Sequence, residues 1–156
     1  MPTFTILPHA WAKEKRGIKP VLRSFALGLA LLFGVVTQAL ATTINVPGDH
    51  ATISAAVAAA AVGDIIIVGP GIYTENVNVT KNNLTIKSSG GAAVSTIQGF
   101  DGNPGTVHIP TGVNGVTIGG IGAGFTIIGF DGPGPIERAA VWMTGNSTNI
   151  NIIGNI

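Results

Sequence analysis

Hydrophobic and polar positions alternate along this chain in runs of only three or four residues, and the runs return at a steady spacing. Residues 84–87 (Leu-Thr-Ile-Lys), 96–98 (Thr-Ile-Gln) and 107–109 (Val-His-Ile) form one set. Residues 116–118 (Val-Thr-Ile), 125–128 (Phe-Thr-Ile-Ile) and 141–143 (Val-Trp-Met) form the next. Alternation this short, bounded by Gly, Asn, Asp and Pro, predicts β-strands and turns. The motif Thr-Ile-x-Gly-Phe-Asp-Gly stands at 96–102 and again at 126–132. A second series, Leu84-Thr85-Ile86, Val116-Thr117-Ile118 and Ile150-Asn151-Ile152, repeats after 32 and 34 residues. Each member lies one or two residues after an asparagine (Asn83, Asn114, Asn149). Two interleaved series at one period mark a repeat protein.

Three strands per period predict an all-β chain in which each period makes one coil of a parallel β-helix, a solenoid. Ile86, Ile118 and Ile152 should then share one interior column. The repeated asparagines should bond to the backbone at a turn and to the matching residue one coil away. Gly-Phe-Asp-Gly should supply positive-φ positions at a corner.

One segment departs from this pattern. From Ala51 to Val62, apolar residues fall at Ile53, Ala56, Val57, Ala60 and Ala61, which is helical periodicity. Thr52 or Asp49 would cap its start and Gly63 its end. Residues 42–63 therefore read as an N-terminal strand and a capping helix laid over the open end of the solenoid. Residues 64–156 read as its coils. The first coil starts with Asp64–Val68, turns at Pro70-Gly71 and continues through Asn76–Val79. The last coil stops partway at Ile156 without a second cap, so the sequence is expected to be a fragment of a longer chain.

Residues 1–41 read as an address rather than part of the fold. A basic stretch from Lys13 to Arg23 precedes twelve apolar or Gly residues, 25–36, and then Gln38-Ala39-Leu40-Ala41. That is the tripartite pattern of a signal peptide cleaved after Ala41. An uncleaved membrane anchor is the alternative, but a span needs about 20 apolar residues. The expected location is secreted, cell-surface or periplasmic, with membrane contact only through an uncleaved signal.

Composition narrows the functional classes. Residues 1–41 carry net charge +4, whereas residues 42–156 carry three basic and six acidic side chains, net −3. The part expected to fold offers no basic face for phosphates, which argues against nucleic-acid binding. The absence of Cys rules out thiolate metal sites and disulfides.

Thr52-Ile53-Ser54-Ala55-Ala56, Gly63–Val68, Pro70–Val77 and Asn83-Leu84-Thr85-Ile86 resemble the opening of pectin-lyase-like right-handed parallel β-helices. NosD-like periplasmic proteins, bacterial surface β-helix proteins and pectin methylesterases share that opening. The resemblance covers residues 43–156 and implies a right-handed solenoid. It leaves function open, because polysaccharide lyases, hydrolases, esterases and non-catalytic proteins all begin this way. The paired-Asp, Asp-Phe-Ile-Phe-Gly and Arg-containing signatures of the enzymes are missing here.

A few residues are candidates for chemistry. Asp101 and Asp131 hold the same place in adjacent repeats, and stacked carboxylates could take Ca²⁺, a hard cation that wants oxygen ligands. An Asp before Gly is also an ordinary turn former. His108 alternates between Val107 and Ile109 and should face outward, and Glu137-Arg138 should form a local pair in a loop. Tyr73 and Trp142 could stack on sugar rings. Trp142, set opposite to Val141 and Met143, is the better placed. Sequons at Asn78, Asn83 and Asn146 follow from composition. The reading is an exported, non-catalytic scaffold that binds glycans or adheres to surfaces. The alternative is the N-terminal part of a polysaccharide-degrading enzyme whose active groups lie beyond Ile156.

Overall fold

Thr43–Val46 (β1) pairs in parallel with Ile65–Val68 (β2), the start of a stack that grows by one strand at each return of the chain. A computed structural model describes residues 40–100, 105–129 and 139–156, all within the unit Ala39–Ile156. The expected signal peptide, apart from its last two residues, lies outside the described residues. Among the described residues, no helix is long and apolar enough to cross a membrane.

Among the described residues, the remaining elements are a helix, Ile53–Ala59 (α1), and nine strands. These are Gly71–Thr74 (β3), Val77–Asn78 (β4), Thr85–Ser88 (β5), Ser95–Gln98 (β6), Gly105–Ile109 (β7), Thr117–Gly119 (β8), Thr126–Ile128 (β9), Ala139–Met143 (β10) and Asn151–Ile153 (β11). Among the described residues, the chain is thus mostly strands in parallel sheets, with one short helix. The sheets run β1-β2-β5-β8-β11, β3-β6-β9 and β4-β7-β10, and from β2 onward the chain visits them in that order. Buried side chains from all three sheets and from α1 make one hydrophobic cluster.

Register turns the sequence repeat into columns. Ile44, Ile66, Ile86, Ile118 and Ile152 stand in one file across the first sheet. Parallel strands lie about 4.8 Å apart, so each isoleucine packs on the next at van der Waals range. Exposure falls to 1% or less at Ile66, Ile86 and Ile118 and rises to 44% at Ile152, the last of the file. Tyr73–Ile97–Ile127 and Val77–Val107–Val141 form matching files in the other two sheets.

The helix begins at one of the two expected caps but ends earlier than the periodicity's forecast. Thr52 is the N-cap, and its hydroxyl oxygen accepts from the Ala55 N–H at 3.1 Å. Asp49 instead closes the turn before it, accepting from the Asn45 N–H at 2.7 Å. That bond and a second from the Asn45 amide hold the Asp49 carboxyl below the usual carboxylate range. The helix stops at Ala60, whose backbone is extended, and Ala61 lies exposed beyond it. Gly63, at φ 91°, shapes the next turn rather than the helix end.

Two buried carboxylates fasten this helix. Glu75 accepts from the Ile53 N–H at 2.8 Å and the Ser54 N–H at 2.7 Å, so it serves the free donors of the first helical turn from 22 residues away. Asp64 accepts from the Thr42 and Ala61 N–H groups, both at 2.8 Å. Charged acceptors of this kind make bonds roughly twice as strong as neutral ones.

Three other local expectations change. Pro70-Gly71 is not simply a turn, because Gly71 opens strand β3. Gly99 does not take positive φ; it is needed for space, since a Cβ there would collide with the Thr106 hydroxyl. The three repeated asparagines do not share a column. Asn83 and Asn149 both take left-handed backbone (φ 56°), and the equivalent positions are Gly63 and Gly115. Asn114 belongs one residue earlier, beside Asn82 and Thr148. There the Asn82 side-chain oxygen accepts from the Asn114 N–H at 2.9 Å, and the Asn114 side-chain oxygen accepts from the Thr148 N–H at 2.7 Å. The ladder therefore runs from amide oxygen to backbone N–H, not from amide to amide.

The isoleucine file and the clamp give two expectations. Ile118→Ala should cost about 2–5 kcal/mol in denaturant unfolding. Ile152→Ala, nearly half exposed, should cost less than half as much. Glu75→Ala should cost about 2–3 kcal/mol by stranding two buried donors, with loss of hydrogen-exchange protection centred on Ile53 and Ser54.

Candidate functional site

On the third sheet, alternation sends Val77, Val107 and Val141 to the core and the residues after them to the other face. Register then lines up Asn78, His108 and Trp142 across β4, β7 and β10. His108 is half-buried between fully buried neighbours, Val107 and Ile109, so the strand pleat points it away from the core. Its Nε2 lies 3.3 Å from the Thr144 hydroxyl. Trp142 is half-buried too, and its indole Nε1 is shielded from solvent with no hydrogen-bond partner among the described residues. Gly105 leaves room for it, since a Cβ there would stand 2.7 Å from the Trp142 Cβ. The row thus sets an amide, an imidazole and an indole side by side.

Tyr73 occupies a different setting. It shares the file of Ile97 and Ile127, packs against the hydrophobic cluster, and donates its hydroxyl to Gly69 O at 3.1 Å. The ring also lies over Gly71, 3.5 Å from where a Cβ would be. Partial burial, and secondarily the charge of Glu75, push its phenol above the ordinary tyrosine range. The outward residue of that strand is Ile72. Tyr73 and Trp142 therefore lie in different sheets, and the structure does not bring them together.

Asp101 and Asp131, the Ca²⁺ candidates, lie outside the described residues, as do Glu137 and Arg138. Among the described residues, no group of three or more His, Asp or Glu could hold a metal ion. Asp64 and Glu75, the two most buried acids among the described residues, are committed to backbone N–H groups. That leaves Asp49, Lys81 and Lys87 as the charged side chains outside the core among the described residues. Among the outward files, Thr43–Ile65–Thr85–Thr117–Asn151 on the first sheet and Ile72–Thr96–Thr126 on the second are neutral, while Asn45–Ile67–Lys87 on the first sheet carries one lysine.

Sequence reasoning missed the Thr144 contact of His108 and the role of Gly105. Both depend on which strands are neighbours, which alternation within one strand does not disclose. Comparisons with known protein families, with curated proteins and with solved structures find no match.

Tyr73 is the single tyrosine of the sequence, so its ionisation can be followed alone by near-ultraviolet absorbance. It should ionise above the ordinary value of about 10. Because the folded state favours the neutral phenol, this group's contribution to stability is whole below that value and declines as pH rises through the folded one. Glu75→Gln should move the titration back part of the way.

Proposed function

We propose that the chain is an exported, non-catalytic scaffold that holds neutral glycans, or adheres to them, at a cell surface or in a periplasm. Residues 1–41 are its cleaved signal peptide. In this reading the three sheets close into a right-handed parallel β-helix of the pectin-lyase-like kind. Parallel sheets visited in strict rotation around a shared core support closure. The strong preference of parallel crossovers for the right hand supports the handedness.

The observation that carries the glycan reading is the alignment of Trp142 over His108 and Asn78 on an outward face. A sugar presents flat C–H faces and a rim of hydroxyls. The indole offers an apolar plane to the first, while the imidazole and carboxamide offer donors and acceptors to the second. The few charged side chains among the described residues suit an uncharged ligand, with binding that depends little on salt.

The test is retention of the full chain on a panel of insoluble neutral polysaccharides at low and high salt. Retention should be nearly salt-independent, and Trp142→Ala should weaken it about tenfold while leaving the unfolding transition in place. Three results would sink the reading: no retention on any neutral polysaccharide, equal retention of the variant, or shortening of a polyuronide by the chain. The last would favour a polysaccharide-degrading enzyme.

A further inference from the structure

Asn114 is the only asparagine in the sequence that precedes a glycine, and it sits in the middle of the turn ladder with bonds on both sides. Its N–H donates to the Asn82 side-chain oxygen, and its Nδ2 donates to Gly112 O at 2.9 Å. Its Oδ1 accepts from both the N–H (2.7 Å) and the hydroxyl (2.8 Å) of Thr148. The next N–H, that of Gly115, donates to Thr148 O at 3.0 Å.

An Asn-Gly pair carries its own reaction. With no Cβ on the following residue, the backbone can fold back until the glycine nitrogen reaches the asparagine carboxamide carbon. The nitrogen gives its proton to base and attacks Cγ. The Cγ–Nδ2 bond breaks, ammonia leaves, and a five-membered succinimide closes. Water then opens the ring at one carbonyl or the other, giving aspartate or isoaspartate. One water is consumed, one ammonia is released, and nothing is oxidised or reduced.

We propose that Asn114-Gly115 is a site of spontaneous deamidation that strand stacking holds shut. Thr148, from the next pass of the chain, occupies both reactants: its carbonyl takes the nucleophile's N–H, and its N–H and hydroxyl pin the carboxamide. The reaction therefore proceeds only when this segment opens locally. Its product then resists closure. Isoaspartate adds a carbon to the main chain between two ladder bonds, Asn114 N–H to Asn82 and Asn83 N–H to Asn114 O. Aspartate keeps the acceptor but sets an oxygen against Gly112 O where Nδ2 had donated.

The test uses the full chain held at mildly alkaline pH, native and in urea, with mass mapping of residue 114 over time. Deamidation there should run at least about tenfold slower in the native chain, with the Gly115 amide protected from hydrogen exchange. After urea ageing and dilution, isoaspartate at 114 should concentrate in the fraction that fails to refold. Equal rates in the two states would overturn the proposal. So would free exchange of the Gly115 amide in the native chain, or equal isoaspartate in the refolded and unrefolded fractions.

Discussion

Parallel, in-register pairing governs this structure, because it removes the freedom of a side chain to choose its neighbours. Once β5 is bonded to β2 and β8 to β5, the residue above Ile86 is Ile118 and the one below is Ile66. A packed core then follows from repeating one residue type at one position. The same geometry sets polar groups in rows, so an amide oxygen at Asn82 or Asn114 finds the N–H of the residue above it. It also gathers Asn78, His108 and Trp142, far apart in the chain, onto one face.

Stacking satisfies every member except the first and last, and the first end is where the structure departs from repetition. A seven-residue helix is too short to stand alone in water. It is held by apolar contact through Ile53, Ala56 and Val57 and by two carboxylates from residues flanking β2 and β3, Asp64 and Glu75. Asp64 holds the position that Leu84, Val116 and Ile150 fill later in the stack. The apolar column thus begins with an acid, and the Ala61 and Thr42 donors give that acid its partners.

Much of this architecture was legible in the sequence, and the gaps have definable causes. The period and the isoleucine file were visible because both follow from spacing alone. The helix start was visible because Thr52 precedes an apolar 3.6-residue stripe. Its end was not: Ala60 and Ala61 continue that stripe, although the chain straightens at Ala60. Strand β3 was hidden by Pro70-Gly71 and by Ile72, an isoleucine on the outer face. Asn114 looked equivalent to Asn83 because a glycine fills the left-handed position in its pass, shifting the asparagine by one. The outward turn of Trp142 could be read from alternation, but its place over His108 required the register. Glu75 gave no sign of its role, since its partners lie 22 and 21 residues upstream.

The column of left-handed residues, Gly63, Asn83, Gly115 and Asn149, has a consequence for how such a chain can grow. Equivalent residues in successive passes are separated by 20, then 32, then 34 positions, yet every pass enters the first sheet in phase. The kink acts as an indexing stop: whatever length accumulates upstream, the next strand is released from the same angle. Extra residues in the connections cost only the slow, logarithmic entropy of a longer loop. Segments could thus be gained or lost between stops, and the face of the protein could diversify while its alignment was inherited unchanged.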